Sequence, residues 1–231
     1  MKIAIFVYNG MTMLDAIGPY EVLSNLPDVE IVFVSKKRGL IKADTGFLTI
    51  KTKYNFKDIQ EADILIIPGS TVAFIEIMKD KKTLEWINIV NQSTKYTASV
   101  GSGSIILAKT GLLNGLHATS HWKTMPLLKD HNAIFKTDRV VRDGKFISSS
   151  GTSAGIDLAF MLCDDIIGED QTRSIQLVME YNPKPLYNSG NIDTCDETII
   201  LEAEKLIKKN TKREMGFFKM LSNRKVLNKM K

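Results

Sequence analysis

The chain has 231 residues, 44% of them hydrophobic and 25% charged, which is the balance of a folded globular protein with room for a large core and not that of a disordered or fibrous chain. Its formal charge of +5 divides unevenly: from Lys205 onward there are ten Lys/Arg and one acid, a local +9 that leaves −4 on the remainder. A nucleic-acid partner inferred from the basic pI would rest on that tail alone, so none is expected.

The opening run Met1–Tyr8 is apolar, far too short to span a bilayer, and ended by Asn9-Gly10. It reads as a buried strand from Lys2 to Tyr8. No membrane partner and a cytoplasmic location are expected. Leu14 to Leu26 follows as an amphipathic helix with Ile17, Tyr20, Val22 and Leu23 among its apolar positions. Glu30 to Ser35 alternates as a strand, and Gly39 to Lys51 holds turn signals between two short alternating runs, a hairpin. Ile64–Pro68 is a second buried strand. Val72 to Val90 is helical, with a break expected near Asp80. Tyr96 to Val100 is a strand that runs into Gly101-Ser102-Gly103. The helix Ser104–Thr110 leaves that turn, and Gly111 stops it.

Beyond it lie a short apolar piece, Leu116–Thr119, and two short strands, Arg139 to Arg142 and Phe146 to Ser150, joined at the turn Asp143-Gly144. Helices are expected over Gly155 to Cys163, Thr172 to Tyr181 and Glu197 to Lys208. Repeated β-α alternation with continuous apolar strands predicts an α/β fold, a mostly parallel sheet covered by helices on both faces. Ligands of such sheets bind outside the carboxyl ends of the strands. The unusual turns gather at strand ends: Asn9-Gly10, Pro68-Gly69-Ser70, Gly101-Ser102-Gly103 and Ser150-Gly151.

Two cysteines supply neither a disulfide framework nor a zinc site. Cys163 sits in an apolar helical run and Cys195 in an acidic stretch, and both read as bystanders. Three scattered histidines have no ligand-like spacing, so no metal or other cofactor is expected.

The turn at Gly101 is the most informative feature. A sharp strand-to-helix turn lifts one residue above the sheet edge and aims backbone N–H groups at whatever lies there; in hydrolases the raised residue is a nucleophile. Here the tip is Gly101, without a side chain. Ser102 is displaced by one from the tip; it is a candidate replacement nucleophile, against which stands the more ordinary reading of a helix cap or a lent N–H. Asp15 reads equally as the acid of a first helical turn, suited to the dipole. His121, beside Trp122, reads by itself as a satisfied, partly buried histidine. Asp157 reads as serving its helix.

Together, Leu14–Leu23, Ile67–Ser70, the Gly101 turn with Thr119–Trp122, and Val140–Lys145 followed by Gly151–Asp157 resemble the ThiJ/PfpI superfamily, whose fold is like that of the class I glutamine amidotransferases and is flavodoxin-like in its layering. The branch it resembles is that of the isonitrile hydratases and related ligand domains of transcription regulators; Glu180–Pro185 fits the same branch. The resemblance covers residues 1–192, taken as one α/β domain, and leaves 193–231 as a basic helical extension packed on it or trailing from it. It implies a cysteine at the position of Gly101, a partner acid at Asp15, oxyanion-binding N–H groups from Gly69, Ser70 and Ser102, and a matching histidine at His121. It also implies a homodimer and a small-molecule ligand. Two functions follow: an isonitrile-hydratase-like, amidase-related scaffold that is inactive because Gly101 stands where the thiol is needed, or a non-catalytic ligand domain. The tail from Lys208 carries Phe217, Phe218, Met220, Leu221, Val226 and Leu227 at roughly helical spacing and reads as a solvated amphipathic helix.

Overall fold

A computed structural model describes residues 1–230, without the side chains of 216–219 and 221. The chain opens with β1 (Lys2–Phe6), α1 (Met13–Leu23) and β2 (Glu30–Ser35), then a hairpin of β3 (Gly39–Lys42) and β4 (Thr49–Thr52). Next come β5 (Tyr54–Asn55), β6 (Ile64–Ile67), α2 (Phe74–Ile77), α3 (Lys81–Asn91), β7 (Tyr96–Val100) and α4 (Gly103–Lys109). A small layer of β8 (His117–Ala118) and β9 (Ile134–Phe135) precedes the hairpin β10 (Val140–Asp143) and β11 (Phe146–Ser149). Four helices complete the chain: α5 (Ala154–Ile167), α6 (Glu169–Val178), α7 (Glu197–Ser222) and α8 (Arg224–Lys229).

Seven strands form one sheet in the order β10-β11-β7-β6-β1-β2-β5. All neighbours are parallel except β10, which pairs antiparallel with β11. The apolar continuity read in the sequence has its cause here. Every residue of β6 and β7 is buried, because helices cover both faces of the sheet. The strand order reverses beside β1: the chain first builds outward to β2 and β5, then returns to β6 on the other side. That reversal opens a crevice at the carboxyl ends of β1, β6 and β7, the usual place for a ligand in an open α/β sheet.

The expected elements are present with shifted ends. The long helix expected over 72–90 is indeed broken before Asp80, whose carboxylate receives hydrogen bonds from Lys36 (2.6 Å) and Thr83 (2.9 Å). Under that helix Trp86 stacks on Phe56, with centroids 4.4 Å apart, and donates its indole N–H to the Ile59 carbonyl at 2.7 Å. The helix expected to end at Lys208 runs on to Ser222. The short β5, β8 and β9 were not anticipated.

The tail is docked, not solvated. Thr211, Met215, Asn223 and Met230 are buried, and Met220, Val226 and Leu227 pack against the main core. The expectation for Phe217, Phe218 and Leu221 lies outside the described side chains. Ion pairs fasten the docking: Lys123 with Glu204, and Lys229 with Asp130 at 2.6 Å. Asn223 donates to Glu76 at 2.9 Å and accepts from Lys79. A solvated helix was the wrong reading because helical periodicity does not reveal which surface the apolar stripe meets. No helix among the described residues is long and apolar enough to cross a membrane.

One glycine fixes how α4 leaves the sheet. A Cβ at Gly103 would lie 2.0 Å from the Ile67 carbonyl oxygen, so the first turn of α4 presses its backbone directly on the end of β6. Gly103→Ala is expected to cost at least about 3 kcal/mol, as overpacking against rigid backbone does. Urea unfolding should show a lowered midpoint; an unchanged midpoint would mean the two backbones are free to separate.

Candidate functional site

Three chain turns converge in the crevice. Asp15 enters from the first turn of α1, Gly69 and Ser70 follow β6, and Gly101 and Ser102 link β7 to α4. Asp15, Ser70, Gly101 and Ser102 line a cavity of about 220 Å³ together with His121 and groups from other loops. Gly69 does not line it but donates its N–H to Asp15, and the structure brings the other predicted site residues to one cavity.

Gly101 has φ +55°, in the left-handed region. A Cβ built there would stand 3.3 Å from Asp15 Oδ2, so any side chain at this tip would emerge against the Asp15 carboxyl. Two buried hydroxyls hold the turn in place: Ser104 Oγ and Ser120 Oγ donate to the Gly101 carbonyl at 2.9 and 3.1 Å, and the Gly101 N–H donates to the Ser149 carbonyl at 3.0 Å. Ser120 lay inside a segment singled out in the sequence, but its contact across the turn is tertiary.

Asp15 is almost fully buried, and burial pushes its carboxyl up to about 7. The Gly69 N–H donates to Oδ2 at 3.0 Å and partly opposes that rise, while the nearby Asp44 carboxylate adds to it. Thr152 lies close enough to favour the charged form slightly, yet it makes no hydrogen bond of normal geometry, and Oδ1 has no partner among the described residues. Desolvation outweighs the single N–H bond and the helix dipole, so near neutrality the group is shared between a protonated donor and a carboxylate. Asp15 sits in the first turn of its helix as expected, but its environment is set by burial and not by the dipole.

Ser102 does not cap its helix as one of its expected readings had it. Its hydroxyl accepts from the Ser70 N–H at 2.9 Å and donates to the Ser70 carbonyl at 2.8 Å. Both sides of the hydroxyl are thus engaged, and no base faces it. Two of the three N–H groups expected to bind an oxyanion are engaged as well, Gly69 to Asp15 and Ser70 to Ser102. The Ser102 N–H has no hydrogen-bond partner among the described residues. Ser70 Oγ accepts from the Phe74 N–H at 2.7 Å and secures α2. Ser102→Ala is expected to lower stability by about 1–3 kcal/mol, since it leaves the buried Ser70 N–H unpaired. Thermal unfolding would register this as a drop of several degrees, whereas an unchanged midpoint would mean the bond is replaceable.

His121 is half-buried beside Trp122, and burial together with Lys123 lowers its imidazole to about 4. It is therefore neutral near pH 7, with Nδ1 accepting from the Lys123 N–H at 3.2 Å. The cavity also contains residues that sequence reasoning missed. Asp44, from the β3–β4 turn, accepts from Thr12 Oγ1 at 2.8 Å. Lys123 contributes beside Trp122, Thr71 and Thr124 line the wall, and Ile207 and Met230 come from the tail. The loop and tail residues carry no motif, and only the folding of distant segments places them here. Asp157 instead binds Arg139 at 2.5 Å and Tyr181 at 2.7 Å outside the crevice. Cys163 is buried, which raises its thiol to about 12 and leaves it inert. No group of three or more His, Cys, Asp or Glu side chains among the described residues could hold a metal ion.

A mostly parallel, helix-covered sheet with a raised carboxyl beneath a strand-to-helix turn defines an α/β protein of the ThiJ/PfpI type. Residues 1–165 match the DJ-1/PfpI family, and the chain belongs to it. It is 37% identical to the isonitrile hydratase of Pseudomonas putida over 205 residues, 89% of each chain. It is 24% identical to protein DJ-1alpha of Drosophila melanogaster over 71% of this chain and 72% of that one. Among solved structures, a ThiJ/PfpI family protein from Pseudomonas syringae superposes with a TM-score of 0.84 at 32% identity, covering 94% of this chain and 90% of that one.

Proposed function

We propose that this chain is an isonitrile-hydratase-like member of its family that does not hydrate isonitriles as written, because Gly101 occupies the nucleophile position, and that its crevice retains the capacity to bind a small ligand. One observation carries this reading: a side chain at Gly101 would emerge 3.3 Å from the raised Asp15 carboxyl, the arrangement a thiol and its proton partner require. The 37% identity to an isonitrile hydratase names the substrate class.

In a chain bearing a thiol at position 101, the thiol would pass its proton to Asp15 as sulfur bonds to the terminal carbon of the isonitrile, and Asp15 would deliver that proton to the same carbon. Water would then add to the carbon–nitrogen double bond, and the carbon–sulfur bond would break. The products are an N-substituted formamide and the regenerated thiol. The Ser102 N–H is available to meet the developing charge, while the Gly69 and Ser70 N–H groups hold the acid and the turn in place. Ser102 is not a replacement nucleophile, because its hydroxyl is engaged on both sides.

The second reading, a ligand-binding domain with no chemistry, is favoured by the same glycine: it widens the crevice and leaves a polar floor without a reactive atom. A hydration assay on this chain and on Gly101→Cys separates the two. The proposal takes residues 1–192 as the α/β domain and 193–231 as a helical extension that adds Ile207 and Met230 to the crevice. A homodimer in the cytoplasm completes the proposal; light scattering that returned only a single-chain mass would remove the dimer.

A further inference from the structure

Most of the side chains lining the cavity are polar, among them Asp15, Ser70, Ser102 and His121 beside Gly101. Its two apolar side chains, Ile207 and Met230, both come from the C-terminal extension. Met230 is buried, and Ile207 lies one helical turn beyond Glu204, the partner of Lys123. Lys123 itself lines the cavity, so the ion pair that docks α7 also sets the position of this wall. The volume of about 220 Å³ is below the roughly 300–1,000 Å³ typical of drug-sized sites.

We infer that Ile207 and Met230 are specificity-determining residues, and that the tail makes the crevice a site for a ligand with a small polar head and a compact aliphatic group, the head over Gly101 and the aliphatic group under the tail. This rests on the proposed function for the identity of the head, but the tail's contribution of Ile207 and Met230 to the lining stands apart from any chemistry at position 101. Apolar surface against Ile207 and Met230 favours an alkyl substituent, and the volume of about 220 Å³ limits its length. A hydrophobic pocket discriminates a methylene by roughly 10–200-fold, so the length of the alkyl chain should be read sharply.

The test uses N-alkylformamides (ethyl, butyl, cyclohexyl and octyl) titrated calorimetrically into the full chain, into Ile207→Ala, into Met230→Ala and into Ile207→Phe. The parent should bind the butyl or cyclohexyl compound most tightly and reject octyl. Each alanine variant should move the preference toward octyl by about tenfold or more, and Ile207→Phe should move it toward ethyl by a similar factor. Opposite movements from enlarging and filling the same position separate selection from mere loss of folding, which would weaken all four ligands alike. An unchanged order of affinities in every variant, or a parent that binds none of the four, overturns the inference.

The parallel experiment is isonitrile hydration by Gly101→Cys. Turnover there with unchanged formamide order would sink the role of the tail and leave the proposed function standing. A shifted order without turnover would do the reverse.

Discussion

Gly101→Cys is expected to convert a chain without isonitrile hydration into one that turns over a simple alkyl isonitrile, with a rate on the order of 10³-fold or more above the unmodified chain. Removing a nucleophile from an otherwise complete site typically costs at least that factor, so restoring it should recover a comparable one. The geometry permits the change. The Cβ would meet Asp15 Oδ2 at 3.3 Å, a tight contact but one with a carboxyl, and no backbone atom stands in the way. The φ of +55° at this position strains any residue with a Cβ by about 1–2 kcal/mol, so the variant should gain activity while losing stability by that amount. Formamide production followed by chromatography, beside a urea titration of both chains, measures the two effects. Turnover by the unmodified chain that vanished in Ser102→Ala would overthrow this account. If neither form turns over, ligand binding is the surviving function.

Asp15→Asn should stabilise the protein relative to the parent increasingly as the pH rises. The Asp15 carboxyl is raised from an ordinary 3.8 to about 7 in the fold, chiefly by burial. The folded state therefore holds a proton that the unfolded state has released between those two values. Stability from this group is fully present below the unfolded value and is lost as pH rises through the folded one. Between pH 5 and pH 8 the loss is about 3 kcal/mol for a single site of this kind. Asparagine stays neutral throughout and can accept the same Gly69 N–H, so it lacks that slope. His121 and Glu214 also have shifted values, but they titrate in both proteins and largely cancel in the difference. Denaturant titrations of both proteins at pH 5 and pH 8 give the comparison. A pH-independent difference would mean that Asp15 is ionised in the fold across the range. In the Gly101→Cys background the same asparagine should depress turnover by about 10²–10⁴-fold, as loss of a positioned proton donor does.

The two effects have one origin. A carboxyl that must give up its proton near neutrality has to be held where its charge is disfavoured, and the protein accepts the resulting loss of stability at higher pH. The tail contributes to the same field. Glu214 of α7, also raised to about 7 by burial and by the nearby Asp44, adds a third carboxyl, after Asp15 and Asp44, to the neighbourhood of the crevice.

Local chemistry was sufficient to reveal the scaffold. Continuous apolar runs at Lys2–Phe6, Ile64–Ile67 and Tyr96–Val100 specify buried parallel strands, because only a sheet covered on both faces accommodates them. The glycine turn after β7 announced a strand-to-helix elbow, and the family resemblance picked out Asp15 and His121. What the sequence could not provide was the set of partners. That Ser102 bonds back to Ser70 instead of capping α4, and that Gly69 spends its N–H on Asp15, depends on the side-by-side alignment of β6 and β7 and on α1. The pKa of Asp15 is likewise a property of burial, which composition does not encode. The tail shows the division most clearly: its helical spacing is local and was legible, but its docking over the crevice, with Ile207 and Met230 in the cavity, comes from contacts between residues more than eighty positions apart. Periodicity is fixed by neighbours along the chain; the surface that an apolar stripe covers is chosen only when the whole chain has folded.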